Sequence, residues 1–262
     1  MAASLALITG ATSGIGLELA HCHARAKGDL FLVARRGDVL ETLKHELVSR
    51  YGVTVHTMVQ DLSETDAALG IWEKTQSDGL HVDILINNAG FGDYGFFHET
   101  DPSRIQQMMQ LNITSLTQLC RLYLPNMIAK RSGGILNIAS TAAFQPGPGM
   151  SVYFATKSYV LNFSEGLYEE VKQYGVLISA LCPGPTSTQF FASANMEGTR
   201  LTRLMPMPSA AEVAQLGYDS LLKGKPVAIY GAMNRMMVFL LRFVPRAWVR
   251  KISSKLVGVV KK

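Results

Sequence analysis

Cysteine is scarce in this 262-residue chain, and the three that occur, Cys22, Cys120 and Cys182, stand far apart with no Cys-x-x-Cys pair. Such spacing excludes a disulfide scaffold and a thiolate metal or redox motif, and it fits a reducing, cytoplasmic setting. No metal site is expected. Charged residues are few as well, 17% against 48% hydrophobic, which is too apolar for a disordered chain and fits a globular protein with buried strands. The N-terminus lacks a basic segment and runs directly into strand-like sequence, so no signal peptide is expected. Residues 133–156 carry no charge, but Asn137, Ser140, Gln145, Pro146 and Pro148 make them a poor membrane span. Acidic residues are absent after Asp219: residues 220–262 hold 10 Lys and Arg and no acid, whereas residues 1–219 hold 15 against 20. The net charge of +5 therefore belongs to the tail, and the basic balance does not mark a nucleic-acid-binding body.

What is present is a regular alternation. Apolar runs at Leu5–Thr9, Leu30–Ala34, Val53–Met58, Asp83–Ile86, Gly134–Ala139, Val176–Leu181 and Val227–Tyr230 read as strands. Helical spacing fills 14–27, Val39–Leu47, 63–77, two patterns over 103–131, 151–173 and 209–222. Seven near-continuous apolar strands separated by helices predict an α/β fold, a parallel sheet covered on both faces. No internal repeat, low-complexity tract or linker divides the chain.

Ligands of such sheets bind beyond the carboxyl ends of the strands, and the unusual sequence lies there. Thr9-Gly10-Ala11-Thr12-Ser13-Gly14-Ile15-Gly16 joins the first strand to the first helix. Its glycines permit a tight turn and the approach of backbone N–H groups to a pyrophosphate; a glycine-rich structural turn is the competing reading. Arg35 and Arg36 follow the second strand, where an NAD-preferring protein carries an acid. Two guanidiniums suit a 2′-phosphate, so NADP(H) is expected over NAD(H). Asp61 and Leu62, past the third strand, suit contact with an adenine ring, although Asp61 could equally cap the following helix. Asn87-Asn88-Ala89-Gly90 closes the fourth strand, where asparagines can satisfy strand-end backbone and small residues admit a ligand. Phe91, Tyr94, Phe96 and Phe97 then read as either an apolar substrate wall or core. In the helical stretch Ser151–Phe163, Tyr153 and Lys157 share one face. A lysine beside the tyrosine is expected to lower its pKa from about 10 towards a value useful in acid–base catalysis. Taken alone, the pair also describes a packed tyrosine and a solvated lysine.

The combination, in order, of Thr-Gly-x-x-x-Gly-x-Gly at 9–16, Asn-Asn-Ala-Gly at 87–90, Asn112, Ser140, Tyr153-x-x-x-Lys157 and Pro183-Gly184 resembles the classical short-chain dehydrogenase/reductase family over residues 4–232. The resemblance implies a Rossmann-type, doubly wound, seven-stranded sheet in a catalytic domain over 1–232. It implies that Tyr153 is the general acid or base, and that Lys157 lowers its pKa and bonds the nicotinamide ribose. Ser140 would steady the substrate oxygen, and Asn112, near a helix bend, would hold a water that links Lys157 to solvent. Gly10, Thr12, Ser13, Gly14, Ile15, Gly16, Asn88, Ala89, Gly90, Pro183, Gly184, Thr186 and Thr188 complete the expected cofactor site, with Thr186 and Thr188 at the carboxamide. Pro185 and the non-basic Ser13 depart from common family patterns, so the NADP(H) expectation rests on Arg35 and Arg36.

A variable substrate lid is implied at about 188–208, where Phe190, Phe191, Met196, Leu201, Leu204, Met205 and Met207 suit a medium-to-large apolar ketone, aldehyde or acyl substrate or pack as core. Phe144 and Gln145 are expected to face the pocket. The family also implies homodimers or homotetramers packed through 103–131 and 151–173. Residues 233–262 form a basic extension in which Met236 to Leu241 is too short to span a bilayer. Trp248, Ile252, Leu256 and Val259 fall on one helical stripe, with Arg246, Arg250 and Lys251 on other faces. This helix either lies on an anionic membrane or packs on the protein. A sensor that binds NADP(H) without turnover is the alternative to an enzyme, and the set of Asn112, Ser140, Tyr153 and Lys157 favours the enzyme.

Overall fold

In the computed structural model of the protein, residues 4–188, 190 and 207–258 are described. Seven parallel strands, β1 (Leu5–Thr9), β2 (Asp29–Ala34), β3 (Val55–Val59), β4 (Ile84–Asn87), β5 (Gly134–Ile138), β6 (Leu177–Cys182) and β7 (Val227–Ile229), form one sheet in the order β3-β2-β1-β4-β5-β6-β7. The order reverses between β1 and β4, and the crevice beyond their carboxyl ends is where such sheets bind ligands.

Successive side chains of a strand point to opposite faces. In β1, Leu5 and Leu7 join one core layer while Ala6 and Ile8 join the other, and all four are buried. A helix layer covers each face, which is why the strands are apolar without alternation. On the first face lie α3 (Ala67–Ser77), α5 (Leu116–Lys130) and α6 (Ser151–Val171), contributing Ile71, Tyr123 and Val160 among others. On the second lie α1 (Gly14–Arg25), α2 (Gly37–Tyr51) and α7 (Ala210–Leu222), contributing Leu19, Leu40 and Tyr218. The three cysteines are free and buried, one in α1, one in α5 and one at the end of β6.

Two departures from the sequence reading have local causes. The helix expected over 63–77 starts at Ala67, because Asp66 takes a left-handed conformation (φ 64°) that a helix cannot contain. The two patterns over 103–131 are α4 (Pro102–Met109) and α5, joined without a loop by a π-helical turn, Gln110–Ser115. After β7 come α8 (Ala232–Leu240) and α9 (Arg246–Val257). The inward face of α9 includes Val249, Ser253 and Val257, whereas Trp248 of the expected stripe is 65% exposed and Ile252 is 51% exposed. Val259 and the Leu256 side chain fall outside the described residues.

Candidate active site

The turn after β1 is shaped by glycines. Gly10 and Gly14 have φ of +67° and +55°, and a Cβ on Gly16 would stand 2.3 Å from Asn88 Nδ2 and 2.4 Å from the Gly10 carbonyl. Asn88 Nδ2 donates to the carbonyls of Thr9 (2.9 Å) and Gly10 (3.0 Å), and Thr9 Oγ1 accepts from the amides of Asn88 and Ala89 at 3.0 Å each. These bonds lock the turn to the end of β4, so the Asn88 side chain holds the loop in shape. Ser13 occupies the N-cap of α1 without a side-chain capping bond. The first amides of α1 are thereby left to a ligand, as anion binding at a helix N-terminus requires.

At the ends of β2 and β3, Arg36 Nη2 donates to the Thr12 carbonyl (3.1 Å) and to Thr12 Oγ1 (3.2 Å), while Arg35 lies 3.6 Å from the Asp61 carboxylate. Asp61 also accepts from the amide and the hydroxyl of Ser63, at 2.9 and 2.7 Å. Burial pushes the Asp61 pKa up, but the Ser63 bonds and Arg35 outweigh it and hold it below the ordinary value. Asp61 thus shapes its own turn and does not cap α3. Leu62 is 5% exposed, and its carbonyl accepts from Ser115 Oγ at 2.6 Å.

The four expected catalytic residues come from three elements. Ser140, just past β5, accepts from the Ala142 amide (3.1 Å), and its hydroxyl donates to the Pro183 carbonyl (3.4 Å). Tyr153 and Lys157 stand on the first two turns of α6 and are both buried. Lys157 Nζ donates to the Ile138 carbonyl at 2.7 Å and sits 5.8 Å from the Tyr153 ring centre. Asn112 lies in the π-helical turn, 1% exposed; its Nδ2 donates to the Phe91 carbonyl (2.9 Å) and Thr156 Oγ1 (3.1 Å), and its Oδ1 accepts from the Phe91 amide (3.2 Å). A Cβ on Gly90 would meet Asn112 Oδ1 at 3.0 Å and Lys157 Nζ at 3.5 Å, so a side chain there would crowd both.

One electrostatic expectation is overturned. Burial pushes the Tyr153 phenol up to about 12, opposed only by a hydrogen bond with Ser140, and it pushes Lys157 down to about 8. Desolvation dominates both shifts, and the ammonium is anchored on Ile138, 5.8 Å from the centre of the phenol ring.

Beyond β6, Thr186 is 5% exposed and its hydroxyl donates to the Gly184 carbonyl (2.9 Å). Thr188 Oγ1 accepts from the Phe190 amide (3.3 Å), and its methyl group would meet a Cβ on Gly14 at 3.0 Å. A cavity of about 1090 Å³ joins these parts: Arg35, Arg36 and Asp61 at one end, Gly10, Thr12, Ser13, Gly14 and Ile15 below, and Ala89, Gly90, Ser140, Tyr153, Lys157, Pro183, Gly184, Thr186 and Thr188 at the other. Guanidiniums, an uncapped helix N-terminus, and then hydroxyls and an ammonium along one cavity fit the phosphates, pyrophosphate and ribose of a dinucleotide.

The apolar wall differs in part from the expected one. Phe91 and Gln145 line the cavity, but Phe144 packs on the core, Phe96 and Phe97 lie at the surface, and the Tyr94 hydroxyl bonds the Gly258 carbonyl after α9. Of the lid residues, Phe190 lies 5.3 Å from Tyr153, ring centre to ring centre; Phe191, Met196, Leu201, Leu204 and Met205 lie outside the described residues. Sequence reasoning missed the contribution of the tail: Asn234, Met237, Leu241 and Val244 around α8, and Ile252, Ser253 and Val257 of α9, line the cavity. Ser253 Oγ donates to the Pro146 carbonyl and ties α9 to the loop before α6, while Asn234 Nδ2 donates to the Tyr230 carbonyl (2.8 Å) at the start of α8. The available signal was that Met237, Leu241 and Val244 recur at i, i+4 and i+7, the spacing of one helix face.

Residues 4–198 match the family model described as short chain dehydrogenase. An uncharacterized oxidoreductase of Bacillus subtilis, YvrD, is 39% identical over 74% of this chain and 72% of its own length. Very-long-chain 3-oxoacyl-CoA reductase-A of Danio rerio is 35% identical over 88% of this chain and 73% of its own. The solved structure of a short-chain dehydrogenase from Sphingobium yanoikuyae in complex with NADPH superimposes with a TM-score of 0.82 at 29% identity, covering 99% of this chain and 98% of that one.

Proposed function

The chain belongs to the short chain dehydrogenase family of oxidoreductases, and from that premise we propose that it is an NADP(H)-dependent carbonyl reductase, or the reverse alcohol dehydrogenase, for a medium-to-large apolar ketone, aldehyde or acyl substrate. The observation that carries the reading is the convergence of Ser140, Tyr153 and Lys157 on one end of a cavity whose other end holds the glycine turn and two arginines. NADP(H) is favoured by Arg35 and Arg36 and by the NADPH complex of the Sphingobium relative. The apolar substrate is favoured by Phe91, Met150, Phe154, Phe190 and Met237 in the lining and by the 3-oxoacyl-CoA reductases among the relatives.

When bound, the nicotinamide cofactor supplies or accepts the hydride. Gly10 to Ile15 would hold its pyrophosphate, Arg35 and Arg36 its 2′-phosphate, Lys157 and Tyr153 its ribose, and Thr186 and Thr188 its carboxamide. The protein's own chemistry is proton handling. The Tyr153 phenol gives its proton to the substrate oxygen in reduction, and in oxidation its phenolate form takes one from the alcohol. Ser140 bonds the same oxygen and orients it towards Tyr153. The Lys157 ammonium, fixed on Ile138, stabilises the phenolate left after proton transfer. Asn112 holds the Phe91 backbone and the hydroxyl of Thr156, the residue before Lys157, and the π-helical turn carries it. The reading also includes a cytoplasmic enzyme that pairs through α5 and α6.

The test is NADPH consumption by purified protein on a panel of apolar ketones and aldehydes. Turnover is expected with the native chain and a loss of at least about 100-fold with Tyr153→Phe, the low end of a general acid's contribution. Unchanged turnover in that variant overturns the mechanism.

A further inference from the structure

The helices α8 and α9 carry two faces of different use. The inner face closes the cavity through Asn234, Met237 and Ser253. The outer face presents Met236 (50% exposed), Phe239 (56%), Phe243 (70%) and Trp248 (65%), an uncommon density of large apolar side chains in contact with water. Phe239 and Phe243 meet edge to face at 5.3 Å between ring centres, so the end of α8 and the turn after it carry a pair of exposed aromatic rings. Exposed cations surround them: Arg235, Arg242, Arg246, Arg250 and Lys251. No acid follows Asp219, so this region meets its partner with a single sign of charge.

We propose that this outer face binds an anionic membrane surface and that apolar substrate enters the cavity from the lipid side. Among occupants of an apolar patch ringed by cations, a second copy of the same face would place like charges against each other. An anionic bilayer offers apolar depth and negative charge together. The geometry is that of a helix pair lying in the interface: neither helix is long and apolar enough to cross a membrane, arginines flank the apolar residues, and a tryptophan stands among them. The second half of the proposal rests on Leu240 and Ile252, which belong both to the exposed patch and to the lining of the cavity. The mouth of the site and the patch are therefore continuous, and a long apolar substrate can pass from acyl chains to Tyr153 without crossing water. This second half depends on the reductase reading above; the binding half does not.

The experiment uses the full chain and vesicles of phosphatidylcholine with or without phosphatidylglycerol. Co-sedimentation is expected with the mixed vesicles, weaker with pure phosphatidylcholine, and falling with added salt. The double variant Phe243→Glu/Trp248→Glu, whose side chains lie outside the cavity and the core, should bind the mixed vesicles at least about tenfold more weakly. In the same preparations, turnover of a short water-soluble ketone with NADPH should be equal in both proteins, while turnover of a long-chain ketone supplied in the vesicles should fall at least about tenfold in the variant. Equal vesicle binding by native and variant protein, no binding by either, or a variant that changes only the oligomeric state in gel filtration overturns the docking face. Weaker binding with undiminished turnover of the vesicle-borne ketone overturns lipid-side entry. Loss of short-ketone turnover in the native chain itself refutes the reductase reading and leaves the binding result to stand alone.

Discussion

Lys157 donates a 2.7 Å hydrogen bond to the Ile138 carbonyl, so its charge is anchored to the end of β5 and sits beside the Tyr153 ring, 5.8 Å from its centre. Burial lowers the Lys157 pKa to about 8 and raises that of Tyr153 to about 12. The tyrosine therefore stays protonated through the physiological range, while the lysine is charged below about 8 and neutral above it. For carbonyl reduction, kcat/KM measured in NADPH should hold below that pH and fall as pH rises through it, because the free enzyme loses its ammonium. A limb that follows Tyr153 instead would appear far higher, and finding it there would refute the assignment.

The same shift has a consequence for stability. A lysine whose folded pKa lies below its unfolded value of 10.5 opposes folding while it is charged, and that cost shrinks as pH rises from about 8 to 10.5. Chemical denaturation of native protein and Lys157→Met should therefore show their stability difference moving in favour of the native protein across that window. Activity of the variant should be lost at every pH.

Gly16 tests the cofactor turn. A Cβ there meets backbone and Asn88 at under 2.5 Å, and neither is free to move, since Asn88 ties two carbonyls together. Gly16→Ala should cost about 1–3 kcal/mol of stability through overpacking and weaken NADPH binding. Thermal denaturation and NADPH fluorescence titration measure the two effects.

Arg35 and Arg36 test the cofactor preference. Replacing both with alanine should raise KM for NADPH by about 10- to 100-fold, the worth of one or two charge-assisted hydrogen bonds, and leave KM for NADH within a few-fold. Steady-state kinetics with each cofactor decides it; equal losses for both would mean that the arginines serve only Thr12 and Asp61.

Asn137 holds β5 to its neighbours. Its Oδ1 accepts from Asn87 Nδ2 and its Nδ2 donates to Ser164 Oγ, both at 2.9 Å in the buried layer under α6. Asn137→Leu should leave two buried polar groups without those partners and destabilise by about 1–3 kcal/mol each. The midpoint of urea denaturation reads this directly.

Much of the architecture was legible because burial on both faces forces each strand to be apolar along its whole length, the glycines, Asn88 and Ser140 stand at the ends of those strands, and Tyr153 and Lys157 share one face of α6. The remainder was not local information. The start of α3 depended on a left-handed Asp66, which composition does not announce. The direction of the Tyr153 shift depended on how deeply α6 is buried and on an anchor, Ile138, that is apolar in sequence and acts through its backbone. The role of α8 and α9 was hidden because their periodicity identifies an amphipathic pair without saying which side meets the body; of the stripe, Trp248 is 65% exposed while Ile252 lines the cavity.

The seclusion of Cys22, Cys120 and Cys182 makes the molecule a blank field for thiol chemistry. Burial pushes their pKa values up to about 11, 12 and 12, so none offers a thiolate to a reagent in neutral water. A single cysteine placed at Phe243 or Trp248 would be the one thiol a polarity-sensitive dye could reach. Its emission colour would then distinguish a position that enters a lipid leaflet from one that stays in water.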